Sequence, residues 1–595
     1  TPGFSVDDFN VCAKNPQLGI VVPVDDHGIM TGEALQYEGL HYSKANDAIE
    51  ADLRASGMLL ASEDIVHSYP HCWRCKKPII FRATEQWFAS VDAIKDAAVA
   101  ACEDIRWHPA WGKERMIAMI RERSDWCISR QRHWGLPIPV FYCSDCGEPV
   151  CTPDSIEAVA ELFARRGSNA WFDTDAESIL PGDFKCPHCG GGHFTKGTDT
   201  LDCWFDSGST HAACLDQFPS LRSPADIYLE GGDQYRGWFQ SSMLTSIATK
   251  GEAPYRQIIT HGWTVDGDGK AMHKSLGNSV PPEEVIKEYG ADILRLWVSS
   301  TDYTSDVRIS KDILRQLSDI YLKIRNTARY ILGNLHQFDA DNLVPYEEMP
   351  EIDRWALSRL NALAARVRSA YEKYEYHTIY HGIHNFCAID MSNIYLDIIK
   401  DRLYCDPAAS LSGRSARTAI YLILDSLVRM LGPILAYTSE EIWSAMPHSS
   451  DADEKSVLYN DILEPQPKYE LGAELSAKWE KLLALRGAVN KALELARADK
   501  VIGKPLDAEI TLYLTPEAKA EYADALAENL PPLFIVSKVI VADSATKNAA
   551  ESEIPGISVG VRASDDKKCV RCWTHNEQVG KNSEHPELCP RCAGA

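Results

Sequence analysis

From residue 310 onward the apolar positions of this chain recur at the period of a helix. Ile313, Leu314, Leu317, Ile320, Ile324, Ala328, Ile331 and Leu335 form one stripe, a spacing that gathers them on a single helical face. Similar stripes run through 355–374, 380–403 and 416–443, so a bundle of at least four helices is expected over 301–465. Tyr321, Tyr371 and Tyr395 are expected in its core. Upstream the pattern is mixed. The segment 255–265, YRQIITHGWTV, reads as a buried strand. Pro281 and Pro282 then open a helix, because proline suits a first turn. Its apolar positions are Val285, Ile286, Tyr289, Ile293, Leu294, Trp297 and Val298, and Gly290 is expected to divide it. Residues 1–88 read as short strands and helices joined by loops, and 91–300 as an α/β region. After the linker Pro465-Gln466-Pro467 a helix is expected over 475–498, and 508–514 alternates like a strand.

Composition narrows the class. The chain has 595 residues, 45% hydrophobic and 25% charged, as in an ordinary globular protein. It has no apolar run long enough to span a membrane and no signal peptide. It begins at Thr1 inside sequence that already reads as folded protein, and is expected to be a fragment. A net charge of −24 argues against nucleic-acid contact over the whole surface. The best local candidate is 106–133, where seven Lys/Arg stand against three acids, with Trp107, Trp111, Trp126 and Trp134 interleaved. From charge alone, a solvated helix face with core tryptophans is the better reading.

Of 18 cysteines, ten form five Cys-x-x-Cys pairs. Paired spacing in a large chain without a secretion signal points to metal rather than disulfides. Cys569/Cys572 and Cys589/Cys592 are separated by sixteen residues, the spacing of a four-cysteine zinc site. The surrounding segment has little apolar mass beyond Val570, Trp573, Val579 and Leu588, so metal would supply much of its folding energy. Cys143/Cys146 and Cys186/Cys189, thirty-nine residues apart, make a second candidate, with a helical stretch over 155–166 between them. Cys72/Cys75 has no obvious partner pair. His67 and His71, or ligands outside this chain, are the alternatives for completing it.

The stretch GDGKAMHKSLGN, 267–278, joins a strand-like run to a helix-like one. It lacks the spacing of a P-loop. Alone it reads either as a plain turn or as a lysine loop that clamps a triphosphate. Its surroundings are DWCISRQRHWGLPIPV (125–140), DCWFDSGSTH (202–211), LEGGDQYRGWFQSS (229–242) and GADILRLWVSSTDY (290–303). Together these resemble a class I aminoacyl-tRNA synthetase, and the GDQYRGWF and FDSGSTH wording with the terminal cysteine pairs favours the isoleucyl branch over the valyl and leucyl ones.

The resemblance implies a multidomain α/β plus all-α protein. Its parts are the second half of a Rossmann-type catalytic domain, a helical anticodon-binding bundle and a C-terminal zinc module. The implied boundaries are 1–88 for an editing-domain remnant and return to the core, and 89–300 for the catalytic second half, with a zinc-binding insertion near 143–200. The helical domain would cover 301–465, an α/β junction 466–560 and the zinc module 561–595. The implied reaction is isoleucine–tRNA ligation: isoleucine attacks the α-phosphate of ATP, and the acyl group passes to tRNA(Ile). Zn2+ is the implied cofactor and ATP with Mg2+ a substrate. The expected state is a cytoplasmic monomer without membrane contact.

Residue by residue, Lys274 takes the place of the catalytic second lysine of the Lys-Met-Ser-Lys-Ser motif, with Ser275 beside it. Ala271 replaces the first lysine, Lys270 stands one position early, and His273 replaces a serine. Glu230, Asp233 and Gln234 match residues that meet the adenylate, and Trp134 and Trp204 match walls of the amino-acid pocket. One methylene separates isoleucine from valine, and this enzyme class is the standard illustration that pocket fit alone is then insufficient and editing is needed. TPGFSVDDF, 1–9, resembles the end of the editing motif. There Asp8 matches the aspartate that anchors the amino group, and Phe4 departs from a histidine. The family's His-Ile-Gly-His motif does not occur in this chain, and neither does most of the editing domain. The chain is therefore expected to be about the C-terminal two-thirds of a synthetase, inactive by itself. The alternatives are a non-catalytic tRNA-binding fragment or paralogue, and another class I synthetase of the same subgroup.

Overall fold

A computed structural model describes residues 2–72, 75–407, 409–543 and 549–594, with Ser275 described by its backbone alone. The chain forms two compact units, Thr1–Ile259 and Thr260–Ala595. The division falls inside the 89–300 stretch that sequence reading treats as one core. Among the described residues no helix is long and apolar enough to cross a membrane.

The first unit opens with helices α1 (Val6–Lys14) and α2 (Tyr42–Ala55). Up to Phe88 the remaining backbone is short turns and isolated bridges among the described residues. The short strands expected there are replaced by local turns. Helix α3 (Lys95–Ala101), strand β1 (Arg106–His108) and helix α4 (Gly112–Arg121) follow. An insertion then folds on its own small core. Strands β2 (Phe141–Cys143), β3 (Pro149–Val150) and β4 (Phe194–Lys196) form an antiparallel sheet in the order β3-β2-β4. Helix α5 (Pro153–Arg166) lies between β3 and β4 in sequence. Thr152 and Ser155 cap it reciprocally, Pro153 fills its first turn, and Gly167 at φ 76° ends it, the residue types that start and stop a helix. Phe141, Trp171 and Phe194 fill this core.

The central sheet of this unit joins β1, β5 (Tyr228–Gly231) and β6 (Gln257–His261) in the order β1-β6-β5. Strands β1 and β6 run parallel, with Ile258 opposite Trp107. Helix α6 (Trp238–Lys250) follows β5. It buries all nine residues from Phe239 to Ile247, as a helix enclosed on every side does. The expected strand over 255–265 is two elements, β6 and β7 (Thr264–Val265).

The second unit begins at Thr260, inside β6, and continues into β7, which pairs parallel with β8 (Val307–Arg308). Helices α7 (Pro282–Tyr289) and α8 (Ala291–Ser300) are divided at Gly290, whose φ of 92° favours a residue without Cβ. The bundle contains α9 (Lys311–Gly333), α10 (Glu351–Glu372), α11 (Tyr376–Asn385), α12 (Leu396–Cys405), α13 (Leu411–Leu431) and α14 (Ala436–Ala445). Two predicted stripes are subdivided. The 380–403 stripe carries a π-helical segment, Phe386–Tyr395, between α11 and α12. The 416–443 stripe breaks between α13 and α14 around Pro433, where the missing N–H ends helical bonding. Tyr395 is fully buried, and Tyr321 and Tyr371 pack partly buried against the same core. Asp353, at 0% side-chain exposure, pairs with Arg402 at 2.7 Å and accepts from the Tyr395 hydroxyl at 2.8 Å. The buried carboxylate is therefore both paired and hydrogen-bonded.

Helix α15 (Ala473–Ala498) begins two residues before the predicted start. It packs on a four-stranded sheet of order β10-β9-β12-β11, made of β9 (Ala508–Leu514), β10 (Lys538–Ala542), β11 (Ala550–Glu551) and β12 (Ile557–Ala563). Strand β9 has the predicted ends, yet its alternation is not an exposed polar face. It is central, and Glu509 is buried against Arg562 at 2.6 Å.

Candidate functional site

At the carboxyl end of β5 the chain turns through 232–235 into α6. In open α/β sheets ligands bind outside the carboxyl ends of the strands. Glu230, Asp233 and Gln234 all lie at this turn. Glu230 is exposed, and its Oε2 accepts from the Gly231 amide at 3.1 Å. Gln234 Nε2 donates to Asp233 Oδ2 at 3.0 Å, and Gln234 Oε1 accepts from the Trp238 amide at 3.0 Å. The amide of Gln234 is thus oriented by its own turn and by the start of α6.

Gly237 makes this packing possible. A Cβ there would stand 2.4 Å from Gln234 Oε1 and 3.0 Å from the Trp204 ring. Trp204 therefore reaches the Gln234 turn, with 39% of its surface exposed. Trp134, the other predicted wall, is 95% exposed, and the structure does not bring it to this group. Trp238 is the residue that sequence reading passed over. It stacks on Tyr228 at 3.9 Å between ring centroids and donates from Nε1 to Ser207 O at 3.0 Å. The signal was available in GDQYRGWF, where a tryptophan four residues after Gln234 opens a helix, and its backbone N–H meets the Gln234 side chain.

The basic strip at 106–133 divides in the way its sequence allowed. Trp107 and Trp126 are buried, whereas Trp111 and Trp134 are exposed. Arg123 lies over Trp126, Arg115 over Tyr235, and Arg130 pairs with buried Asp202 at 3.1 Å. Those three arginines are occupied by the fold. At the amino terminus, Ser5 caps α1 by accepting from the Asp8 amide, which sets the backbone of Asp8 in the first helical turn.

In the second unit the lysine loop is an organised turn. Asp266 Oδ1 accepts from the amides of Asp268 and Lys270 at 3.1 and 2.8 Å. Asn278 Nδ2 reaches Asp266 Oδ2 at 2.8 Å and the Ala271 carbonyl at 3.1 Å, while its Oδ1 accepts from the His273 amide at 2.9 Å. The Asn278 hydrogen bond, ahead of the backbone ones, holds the Asp266 carboxyl below its ordinary range. Ala271 and His273 contribute backbone here, so their side-chain departures leave the knot intact. Lys270 lies 3.9 Å from Asp268. Lys274 opens a short 3-10 turn closed by Gly277 at φ 67°. Its ammonium is exposed and makes no hydrogen bond or ion pair among the described residues. The side chain of Ser275 lies outside the described residues.

Two cysteine clusters form, each with all four Sγ atoms within 4.8 Å of one another: Cys143, Cys146, Cys186, Cys189, and Cys569, Cys572, Cys589, Cys592. A tetrahedral zinc with Zn–S near 2.3 Å requires S···S edges of about 3.8 Å. Cys143–Cys189 is 3.6 Å, Cys146–Cys186 3.8 Å and Cys572–Cys589 3.7 Å. The donor sets therefore fit the ion. Burial pushes the Cys569 thiol up, but amides of Cys572, Cys589 and Arg571 outweigh it and bring it down to about 6. Burial likewise opposes, and the Cys189 and His188 amides favour, a Cys186 thiolate, lowered to about 7. Val570 and Trp573, counted as apolar mass from sequence, are 56% and 52% exposed. The four thiols, Val579 and Cys405 of α12 make up the buried centre, with Leu588 packed on it. Among the described residues Cys72 and Cys75 gather no third ligand.

Comparison with known proteins adds the decisive observation. The model for class I tRNA synthetases (I, L, M and V) matches residues 7–310, half of the chain. The chain belongs to this synthetase family. The anticodon-binding domain of tRNA ligases matches 353–512, and the zinc finger found in FPG and IleRS matches 566–594, which makes Zn2+ the cofactor of that terminal module. An isoleucine–tRNA ligase of Caldanaerobacter subterraneus is 51% identical over 100% of this chain and 63% of its own length. One of Carboxydothermus hydrogenoformans is also 51% identical, over 100% of this chain and 64% of its own. The chain thus spans less than two-thirds of the relatives it matches. The solved Mycobacterium tuberculosis methionyl-tRNA synthetase in complex with methionyl-adenylate covers 68% of this chain and 72% of its own at 17% identity, with a TM-score of 0.47.

Proposed function

We propose that the protein to which this chain belongs is an isoleucine–tRNA ligase. It activates isoleucine with ATP and Mg2+ and transfers it to tRNA(Ile). The observation that carries this reading is the Trp204–Gly237–Gln234–Trp238 group at the carboxyl end of β5. It places the flat apolar surface of Trp204 beside an oriented amide, which suits a branched aliphatic amino acid. The 51% identity to isoleucine–tRNA ligases supports the choice of amino acid.

In this reading Glu230 and Asp233 supply carboxylates for the ammonium and the ribose hydroxyls of the adenylate, and Gln234 supplies a neutral donor and acceptor. Lys274 offsets charge as pyrophosphate departs, with Lys270 and Ser275 as its neighbours. Trp204 is the pocket wall, Trp238 stacks on Tyr228 and supports the turn through its backbone amide, and Trp134 takes no part in the pocket built by this chain. Catalysis is positioning and charge stabilisation, with no covalent enzyme intermediate. Cys569, Cys572, Cys589 and Cys592 hold one structural zinc, and Cys143, Cys146, Cys186 and Cys189 a second. Four thiolates leave no open coordination position. Asp8 belongs to a hydrolytic editing site, and Cys72 and Cys75 bind metal only with ligands from outside this chain. The protein acts as a cytoplasmic monomer.

The test is charging in a protein of the relatives' full length that contains this chain. A tRNA(Ile) transcript accepts isoleucine, and transcripts for leucine or methionine do not. Equal charging of all three transcripts contradicts the reading.

A further inference from the structure

Helix α10 carries Arg359, Leu363 and Arg366 along one face, at intervals of four and three residues. With Gly382 and Asn385 of α11 and Asp390 of the π-helical segment they line a surface depression of about 360 Å³. Arg359 pairs with Asp390 at 3.3 Å. Arg366 has no hydrogen bond or ion pair among the described residues. Its guanidinium lies against α11 at Gly382, where a Cβ would stand 2.9 Å from Nη2 and 3.3 Å from Nε. A glycine weakens a helix relative to alanine, so the space for this guanidinium is kept against the helix's own preference. The π-helical turns that follow directly are a backbone form found often at functional sites. Two guanidiniums, Arg359 and Arg366, face the one carboxylate of Asp390.

We propose that this depression receives a backbone phosphate of bound tRNA, gripped by Arg366 with Arg359 beside it. The guanidinium fork matches phosphate oxygens in pairs. Such a contact positions the nucleic acid and reads no base. The proposal rests on the tRNA-ligase reading above.

Filter retention of a tRNA(Ile) transcript by a protein of the relatives' full length that contains this chain is measured across a salt series for the wild type, Arg366→Gln and Gly382→Ala. The alanine variant keeps the helix and forces the Arg366 guanidinium away from its seat on Gly382. Both variants are expected to weaken binding by about 3- to 10-fold near ~0.1 M salt and to lower the log–log salt slope by about 0.7–0.9, one phosphate's worth. An altered anticodon leaves that loss unchanged. Wild-type binding with unchanged affinity and slope in both variants overturns the phosphate site and leaves the ligase reading standing. A wild type that retains no tRNA overturns both. Arg366-dependent binding of inorganic phosphate alone, with tRNA affinity indifferent to Arg366, assigns the depression to a free anion and overturns the RNA occupant.

Discussion

Replacing Lys274 with alanine in a protein of the relatives' full length is expected to lower the rate of isoleucine activation by about 10²–10³-fold, the usual loss when one charge-stabilising donor is removed. The KM for isoleucine should change little, since the ammonium meets the amino acid only through the reaction. The structure supports this expectation because the loop around Lys274 is tied elsewhere. Asp266 and Asn278 hold the backbone of Ala271 and His273, so removal of the Lys274 side chain leaves the loop's shape in place. Lys270 is the control. It stands beside Asp268, and Lys270→Ala should cost less than Lys274→Ala. A near-normal rate for Lys274→Ala together with a large loss for Lys270→Ala would move the phosphate role to Lys270.

The second large effect concerns metal. The chain should bind about two zinc ions tightly, one for each closed set of four thiolates. Cys589→Ser should remove about one ion and unfold 566–594, because the buried centre there is chiefly the four thiols and structural zinc supplies roughly 10–16 kcal/mol in isolated modules of this kind. The module is anchored beyond the metal. Arg591 reaches both carboxylate oxygens of Asp401, one at 2.7 Å, and Lys568 pairs with Asp507 at 3.0 Å. Those ion pairs are partly exposed and contribute little alone. Metal analysis with amide exchange checks the result: loss of one zinc with protection lost across 566–594 and kept in α12 is expected. A chain that binds no zinc would contradict the assignment of both clusters.

How much was legible in the sequence depended on the range of the interaction. Helical stripes were readable because their period is local, and so were the break at Gly290 and the ends of β9. The π-helical segment was not, since Phe386, Cys387, Met391 and Tyr395 stay buried while the hydrogen-bond pattern changes. The partners of β9 were also missed. Strand β12 lies more than forty residues away in sequence, and only the pairing itself explains why Glu509 is buried. The cysteine clusters were readable from spacing alone, because a Cys-x-x-Cys turn fixes two ligands locally. Trp134 and Trp238 show the limit for the site. Motif context drew attention to Trp134, but proximity to Gln234 is decided by the turn at 232–235 and by Gly237, which bring the Trp204 ring and the Trp238 backbone amide there.

Amino-acid-dependent ATP–pyrophosphate exchange tests the account most directly. In a protein of the relatives' full length containing this chain, isoleucine should support the fastest exchange per unit concentration. Valine should follow at a rate roughly 10–200-fold lower, the range that one methylene provides, and leucine and methionine should support almost none. Exchange driven best by leucine or methionine, or no exchange with any of the four, would contradict the isoleucine–tRNA ligase reading.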